Sequence, residues 1–255
     1  MLKVEEIEVG IKCKLRVQKH GEVFTPKRIV NQILDTPGVK EACENLLSTF
    51  LEPSAGEGVF LVSILNRKLN MVAKQYNSDL RQFENYSLLA LSSLYGIELL
   101  EDNAQTCALN MFQEYYEVYQ KQANHHNGKV RKNVLDSAKE IISSNICQGN
   151  FLTREAVDGK PLVFSEWVPI NLKKTTKIIK VQRTEYTLDE VYENIEKESG
   201  KVLDKLTNKS IHQPEQMDMF DLLEEDIDDE ISKEMRYIPV NIVDVYKAEM
   251  EENDG

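Results

Sequence analysis

Three clusters of small, acidic and amide residues follow apolar runs, and each has the composition of a ligand-facing loop. The first is Leu51-Glu52-Pro53-Ser54-Ala55-Gly56-Glu57-Gly58-Val59-Phe60. Gly56 and Gly58 permit a tight turn with close backbone approach at the carboxyl end of a strand. Open α/β sheets hold their ligands there. A helix starting at Val59 would point its first N–H groups at such a ligand. The second cluster, Tyr95-Gly96-Ile97-Glu98-Leu99, puts a carboxylate at the end of another predicted strand, where it can accept both hydroxyls of a ribose. The third, Gln148-Gly149-Asn150-Phe151-Leu152, offers an amide able to pair with an adenine edge and a ring able to pack on its face. Upstream, Gly21-Glu22-Val23-Phe24-Thr25-Pro26 leads into a helix, with Thr25 a candidate N-cap and Pro26 at the first helical position.

These loops need strands and helices to hold them. Lys27 to Leu47 has helical spacing broken by Pro37-Gly38, which predicts two short helices. Thr49–Glu52, Leu94–Glu98 and Asn145–Gln148 read as strands. Val59–Tyr76, Phe83–Leu91, Glu101–Tyr119 and Asn133–Ile142 read as helices between them, and 124–128 as a loop. Strands alternating with helices predict a parallel sheet covered on both faces. After Leu152 the pattern changes. Leu162–Trp167 and Lys177–Arg183 read as a hairpin with a Lys-rich loop, Leu188–Lys205 as a polar helix, and Tyr237–Val245 as a late edge strand containing Pro239. Residues 207–235 are too acidic and too poor in large apolar side chains to build a core. The expected organisation is an N-terminal arm at 1–20, an α/β domain at 21–160, a hairpin and helix at 161–206, and an acidic tail at 207–255.

With 255 residues, 41% of them hydrophobic, the chain can bury a substantial core and is not disordered throughout. No apolar run approaches the ~18 residues of a membrane span. The N-terminus, Met1-Leu2-Lys3-Val4-Glu5-Glu6, lacks the layout of a secretion signal. Cys13, Cys43, Cys107 and Cys147 are far apart and form no CxxC pair, which argues against structural zinc or a disulfide framework and for the reducing cytoplasm. The net charge of −12 resides entirely in 214–255, which holds 15 acids and 3 bases; the body is neutral. No global basic field therefore favours a polyanion, although a local patch can still attract one.

Taken in order, GEVFTP, LEPSAGEGVF, YGIEL and GNFL resemble the S-adenosylmethionine-binding half of the DNA adenine-N6 methyltransferases, in particular modification subunits of bacterial restriction systems and related phage enzymes. The resemblance covers roughly residues 20–152. It implies a Rossmann-like class I methyltransferase domain with an incomplete sheet, and these roles. Phe24, Thr25 and Pro26 close over the methionine end of the cofactor. Glu52, Ala55, Gly56 and Gly58 wrap its amino-acid moiety. Glu98 holds the ribose, Ile97 or Leu99 lies against the adenine, and Asn150 and Phe151 meet it. The family often has Asp at the position of Asn150, so the contact is kept with one charge fewer. Its catalytic Asn/Asp/Ser-Pro-Pro-aromatic tetrapeptide, which holds a flipped adenine, is missing, for no Pro-Pro occurs in the chain. The nearest stretch in position is Phe164–Pro169, with Ser165, Trp167 and Pro169 as substitutes; Asp244-Val245-Tyr246 is a second. The resemblance thus implies a methyltransferase-like protein acting on DNA with a catalytic or specificity subunit, or one that methylates through an unrecognised site, or, in a different class, a non-enzymatic adaptor that binds the sliding clamp or a DNA-modifying partner.

The tail segment Gln216-Met217-Asp218-Met219-Phe220 resembles the clamp-binding peptide of bacterial replication and repair proteins, with Gln216 in a polar subsite and Met219 and Phe220 in an apolar pocket. The acidic run Glu224–Glu230 reads as a solvated spacer, or as a mimic of DNA charge. His125-His126 has no Cys or acid at ligand spacing. Lys173, Lys174, Lys177 and Lys180, with Arg183 nearby, form the one basic cluster, which is either a solvated hairpin loop or a phosphate contact.

Overall fold

A computed structural model of the chain describes residues 25–173, 175–193, 195, 197–203 and 235–252. Phe24, the arm and the tail peptide Gln216–Phe220 lie outside the described residues. Pro37-Gly38 separates two helices, α1 (Lys27–Leu34) and α2 (Val39–Cys43), as the breaker requires, with Gly38 at φ +86°. Pro26, not Thr25, holds the cap position of α1, and no side chain caps it.

The helical body follows from apolar spacing. Helix α3 (Val59–Gln75) buries Leu61, Ile64, Leu65, Lys68, Leu69 and Val72, the stripe of a helix with one face inward. Helix α4 (Leu80–Leu91) is buried on all sides from Gln82 onward. Its polar groups are therefore paired internally. Glu84 accepts from Tyr119 and from both arms of Arg131, and Ser87 shares a 3.0 Å hydrogen bond with Tyr115. Helices α5 (Glu101–His125) and α6 (Lys132–Asn145) complete this layer; α5 runs through the loop expected at 124–128 as far as His125.

Three strands run parallel in the order β1 (Phe50–Glu52), β2 (Leu94–Glu98) and β3 (Ile146–Asn150), and β4 (Glu155–Ala156) adds antiparallel to β3. The register pairs Glu52 with Gly96 and Glu98 with Gln148, so Glu52, Glu98, Gln148 and Asn150 share one face by the period of two. That face meets α3: a Cβ on Gly96 would lie 2.8 Å from Leu61 Cδ1.

The opposite face departs from expectation. No long helix covers it among the described residues. Tyr95, Ile97 and Cys147 instead pack on Leu162, Phe164 and Leu188, from the hairpin β5 (Val163–Pro169) and β6 (Lys180–Thr187) and the short helix α7 (Leu188–Tyr192). The chain is led there by β4, which turns it back after β3. Tyr95 donates to the Ser165 carbonyl at 3.2 Å, and Asn145 Oδ1 accepts from Ser165 N at 3.0 Å.

Two further expectations are corrected. The polar helix predicted over Leu188–Lys205 ends at Tyr192. Beyond it the chain folds back along β6, with Gly200 at φ +93° and Gly200 N on Thr184 Oγ1 at 3.0 Å; the segment lacks the apolar stripe that would have held a helix down. The late strand is divided around Pro239, which has no N–H for a ladder. Its parts are β7 (Met235–Tyr237), β8 (Val240–Asn241) on β6, a 3₁₀ helix (Ile242–Lys247) against α6, and β9 (Met250–Glu252) on β7. No helix among the described residues is long and apolar enough to cross a membrane.

Candidate functional site at the sheet's carboxyl edge

The loop after β1 is shaped by two left-handed glycines, Gly56 at φ +54° and Gly58 at φ +87°. Ala55 N donates to the Ile97 carbonyl at 2.8 Å and Gly58 N to the Ala55 carbonyl at 2.8 Å, which ties the turn to β2 and starts α3. The glycines differ in surroundings. A Cβ on Gly58 would stand 2.8 Å from Cys107 Sγ and 3.3 Å from Cys107 Cα, whereas one on Gly56 meets nothing within 4 Å. Gly58 is needed for packing against α5, and Gly56 leaves its side of the loop open.

Glu98 is 6% exposed and already engaged. Its Oε2 accepts from Gly56 N at 2.7 Å and its Oε1 from Leu100 N at 3.0 Å. A carboxylate offers about four acceptor positions, so two remain for a ligand. Glu52, half-buried at the end of β1, accepts from Ser54 N at 3.3 Å, and burial raises its carboxyl above the ordinary value. Asn150 uses Oδ1 to close its own turn on Leu152 N at 2.9 Å, leaving its Nδ2 without a described partner.

The structure thus brings Glu52, Ala55, Gly56, Gly58, Glu98 and Asn150 to one edge of one sheet. It does not bring Ile97 there. Ile97 is fully buried on the hairpin face, while Leu99, 51% exposed, remains beside Glu98. Phe151 also turns to the hairpin side, against that cluster and the ring of Tyr192.

The substitutes for the missing tetrapeptide are corrected by position. Ser165 and Trp167 are 2% and 5% exposed. Ser165 bonds Asn145, before the first residue of β3, whereas the site lies at the last; the separation is about 16 Å along the strand. Arg183 donates to Ser165 Oγ and stacks on Trp167 and Tyr237, and its charge is met by Glu140 and Glu185. Arg183 is therefore a buried structural cation, not part of a phosphate-facing cluster. Pro169 ends β5 farther still from the site, and Asp244 and Tyr246 sit in the 3₁₀ helix after β8, which pairs with β6 and not with the parallel sheet.

The sequence motifs missed the contribution of α5. Asn103, Cys107 and Asn110 lie at i, i+4 and i+7 under the loop. Cys107 abuts Gly58, and Asn110 Nδ2 holds the Glu57 carbonyl at 2.9 Å. A stripe of small and amide residues at helical spacing was the available signal. Cys107 is no nucleophile, because burial, with Glu98 and Glu52 adding to it, pushes its thiol up to about 12. His126 bonds Asn77, and no group of three metal-ligating side chains occurs among the described residues. Neither a family model, nor a curated protein, nor a solved structure matches the chain.

Proposed function

We propose that the chain binds S-adenosylmethionine at the carboxyl edge of β1–β3, as half of a Rossmann-like methyltransferase sheet, and serves DNA adenine-N6 methylation in the cytoplasm together with a catalytic or specificity subunit. The observation that carries this reading is the convergence of the glycine turn after β1, Glu98 after β2 and Asn150 after β3 on one face of three adjacent parallel strands. Those residues fit the cofactor. The free side of Gly56 admits its amino-acid moiety close to the backbone. Glu98 takes the ribose hydroxyls on its remaining acceptor positions, Leu99 lies under the adenine, and Asn150 Nδ2 donates to the adenine edge. Thr25 and Pro26 close the methionine end from the start of α1. When bound, the cofactor supplies a methyl group activated on a sulfonium centre.

What supports a partner is the chemistry that this edge does not offer. Among the described residues, none there combines a carbonyl, an amide and an aromatic for an exocyclic amine, and Ser165 and Trp167 are sealed elsewhere. The outer side of β1 pairs with no described strand, which leaves room for further strands. The same lack favours the second reading, a non-enzymatic adaptor that binds the sliding clamp or a DNA-modifying partner. Titration calorimetry with S-adenosylmethionine and S-adenosylhomocysteine tests the first claim: micromolar affinity, about −8 kcal/mol, is expected, and no heat at millimolar ligand refutes it. Tritiated methyl transfer to DNA, by the chain alone and with the product of a neighbouring frame carrying Asn-Pro-Pro-Tyr, tests the second. Incorporation only with the partner is expected, and none in either case leaves the adaptor.

A further inference from the structure

At the other end of α3, about 24 Å along the helix from Gly58, the chain encloses a cleft of about 530 Å³. Its walls come from distant parts of the sequence: the last turn of α3 with Lys74, the turn and first residues of α4 with Ser78 and Gln82, and the β5–β6 loop with Thr175 and Lys177. The loop is built to stay there. Asn171 accepts from Lys180 N and donates to the Ile178 carbonyl, and Lys173 N bonds Thr176 Oγ1. Tyr86 donates to the Lys173 carbonyl at 2.7 Å while stacking on Tyr76 at 4.1 Å, and Asn85 Oδ1 holds Ile179 N at 2.8 Å.

The cleft's lining is mostly apolar, and its donors are few and placed at the rim and in one wall. Asp79, the N-cap of α4, takes the Lys177 ammonium on one oxygen and Gln82 N on the other, which fixes Lys177 at the rim. Lys74 pairs with no described residue, so the cleft keeps a net positive charge. Gln82, 6% exposed, lines the cavity and uses Oε1 on Ser78 N at 2.9 Å; its Nε2 bonds no described residue. Lys74, Lys177, Gln82, Ser78 and Thr175 therefore line a space too large for a single carboxylate, with Lys177 shared with Asp79. We propose that this cleft binds phosphate groups, with the backbone of a nucleic acid as their source. The site is separate from the carboxyl edge, and the inference does not depend on the cofactor reading.

The test is fluorescence anisotropy of the full chain with a 20-base-pair fluorescein-labelled duplex at several salt concentrations. Inorganic pyrophosphate serves as a competitor and, by calorimetry, as a direct ligand. The wild type should bind the duplex, and Lys74→Gln/Lys177→Gln should weaken binding at least tenfold and reduce the log–log salt slope by about 1, near 0.9 for the phosphate that Lys74 no longer neutralises. Both lysines are exposed, so the variant should melt close to wild type, losing at most the small contribution of the surface Lys177–Asp79 pair. Lys201→Gln, at the other end of β6, should change nothing. Pyrophosphate binding that the double variant loses, without duplex binding, would retain the phosphate site and remove nucleic acid as its source. Binding of neither probe, equal binding by the double variant, or the same loss from Lys201→Gln would overturn the proposal. The cofactor titration reads out independently, so failure of one claim does not imply failure of the other.

Discussion

Gly58→Ala and Gly56→Ala should part company, because the same added methyl meets different surroundings. At Gly58 the left-handed φ of +87° costs an L residue about 1–2 kcal/mol. The methyl also arrives 2.8 Å from Cys107 Sγ and 3.3 Å from Cys107 Cα, so α5 must give way. Overpacking of that kind adds about 1–3 kcal/mol. The sum, about 2–5 kcal/mol, should lower Tm by at least roughly 4 °C in a chain of this size. Adding Cys107→Ala removes the sulfur but not the helix backbone, so the double variant should recover only part of the loss. At Gly56 the methyl finds open space, and stability should fall by only the conformational cost, about 1–2 kcal/mol. It then occupies the side of the loop assigned to the cofactor, and affinity for S-adenosylhomocysteine should drop tenfold or more, about 1.4 kcal/mol. Thermal denaturation and calorimetry on the four proteins measure both effects. Equal destabilisation by the two alanines, or no recovery with Cys107→Ala, would refute the packing argument. Unchanged cofactor affinity in Gly56→Ala would refute the placement of the ligand.

Glu98→Ala leaves the N–H groups of Gly56 and Leu100 without their acceptor and should cost about 2–4 kcal/mol in denaturant unfolding, along with cofactor binding. Glu98→Gln, which keeps one acceptor oxygen, should restore part of the stability. Burial raises the Glu52 carboxyl in the folded state, so its contribution to stability is present below the unfolded value near 4.5 and is lost as pH rises through the folded one. Glu52→Gln should therefore melt above wild type at pH 7, with the gap closing as pH falls through the folded value toward 4.5; identical melting at pH 7 would count against that burial. For the tail, Phe220→Ala should weaken binding to purified sliding clamp about tenfold or more, since burying a phenylalanine contributes about 1.5–3 kcal/mol. Equal surface-resonance signals from wild type, Phe220→Ala and a deletion of 214–235 would end the clamp reading.

The local elements were legible where one periodicity dominated. Pro37-Gly38 marked the break between α1 and α2, and the apolar spacing of Val59–Tyr76 marked α3 to within a residue. The three parallel strands followed from short apolar runs ending in turn residues, and with them the gathering of Glu52, Gly56, Gly58, Glu98 and Asn150. What could not be read was which side of the strand a neighbour would take. Ile97 and Glu98 are adjacent in sequence, yet the pleat sends one into the hairpin core and the other to the site edge. Only the register with β3 decides that, and register is a tertiary property. Arg183 looked like part of a basic cluster because its ion partners, Glu140 and Glu185, lie on α6 and farther along β6.

The placement of the hairpin explains why the substitutes for the missing tetrapeptide looked plausible in sequence and are not so in space. A tetrapeptide that serves this edge has to follow a strand running in the direction of β1, β2 and β3. After Asn150 the chain reverses through β4, and β5 runs back toward the amino edge, so each residue of β5 beyond Val163 lies farther from Glu98. Trp167 and Ser165 were then free to become core, and Arg183 covers them. The reversal also places the hairpin over the face carrying Tyr95, Ile97 and Cys147, which closes that side of the sheet and confines any ligand of Glu98 to the face shared with α3 and α5. Of the three parallel strands, β1 alone lacks a second neighbour among the described residues, which leaves an edge beside it for further strands. Strands added there would lie next to the glycine turn after β1.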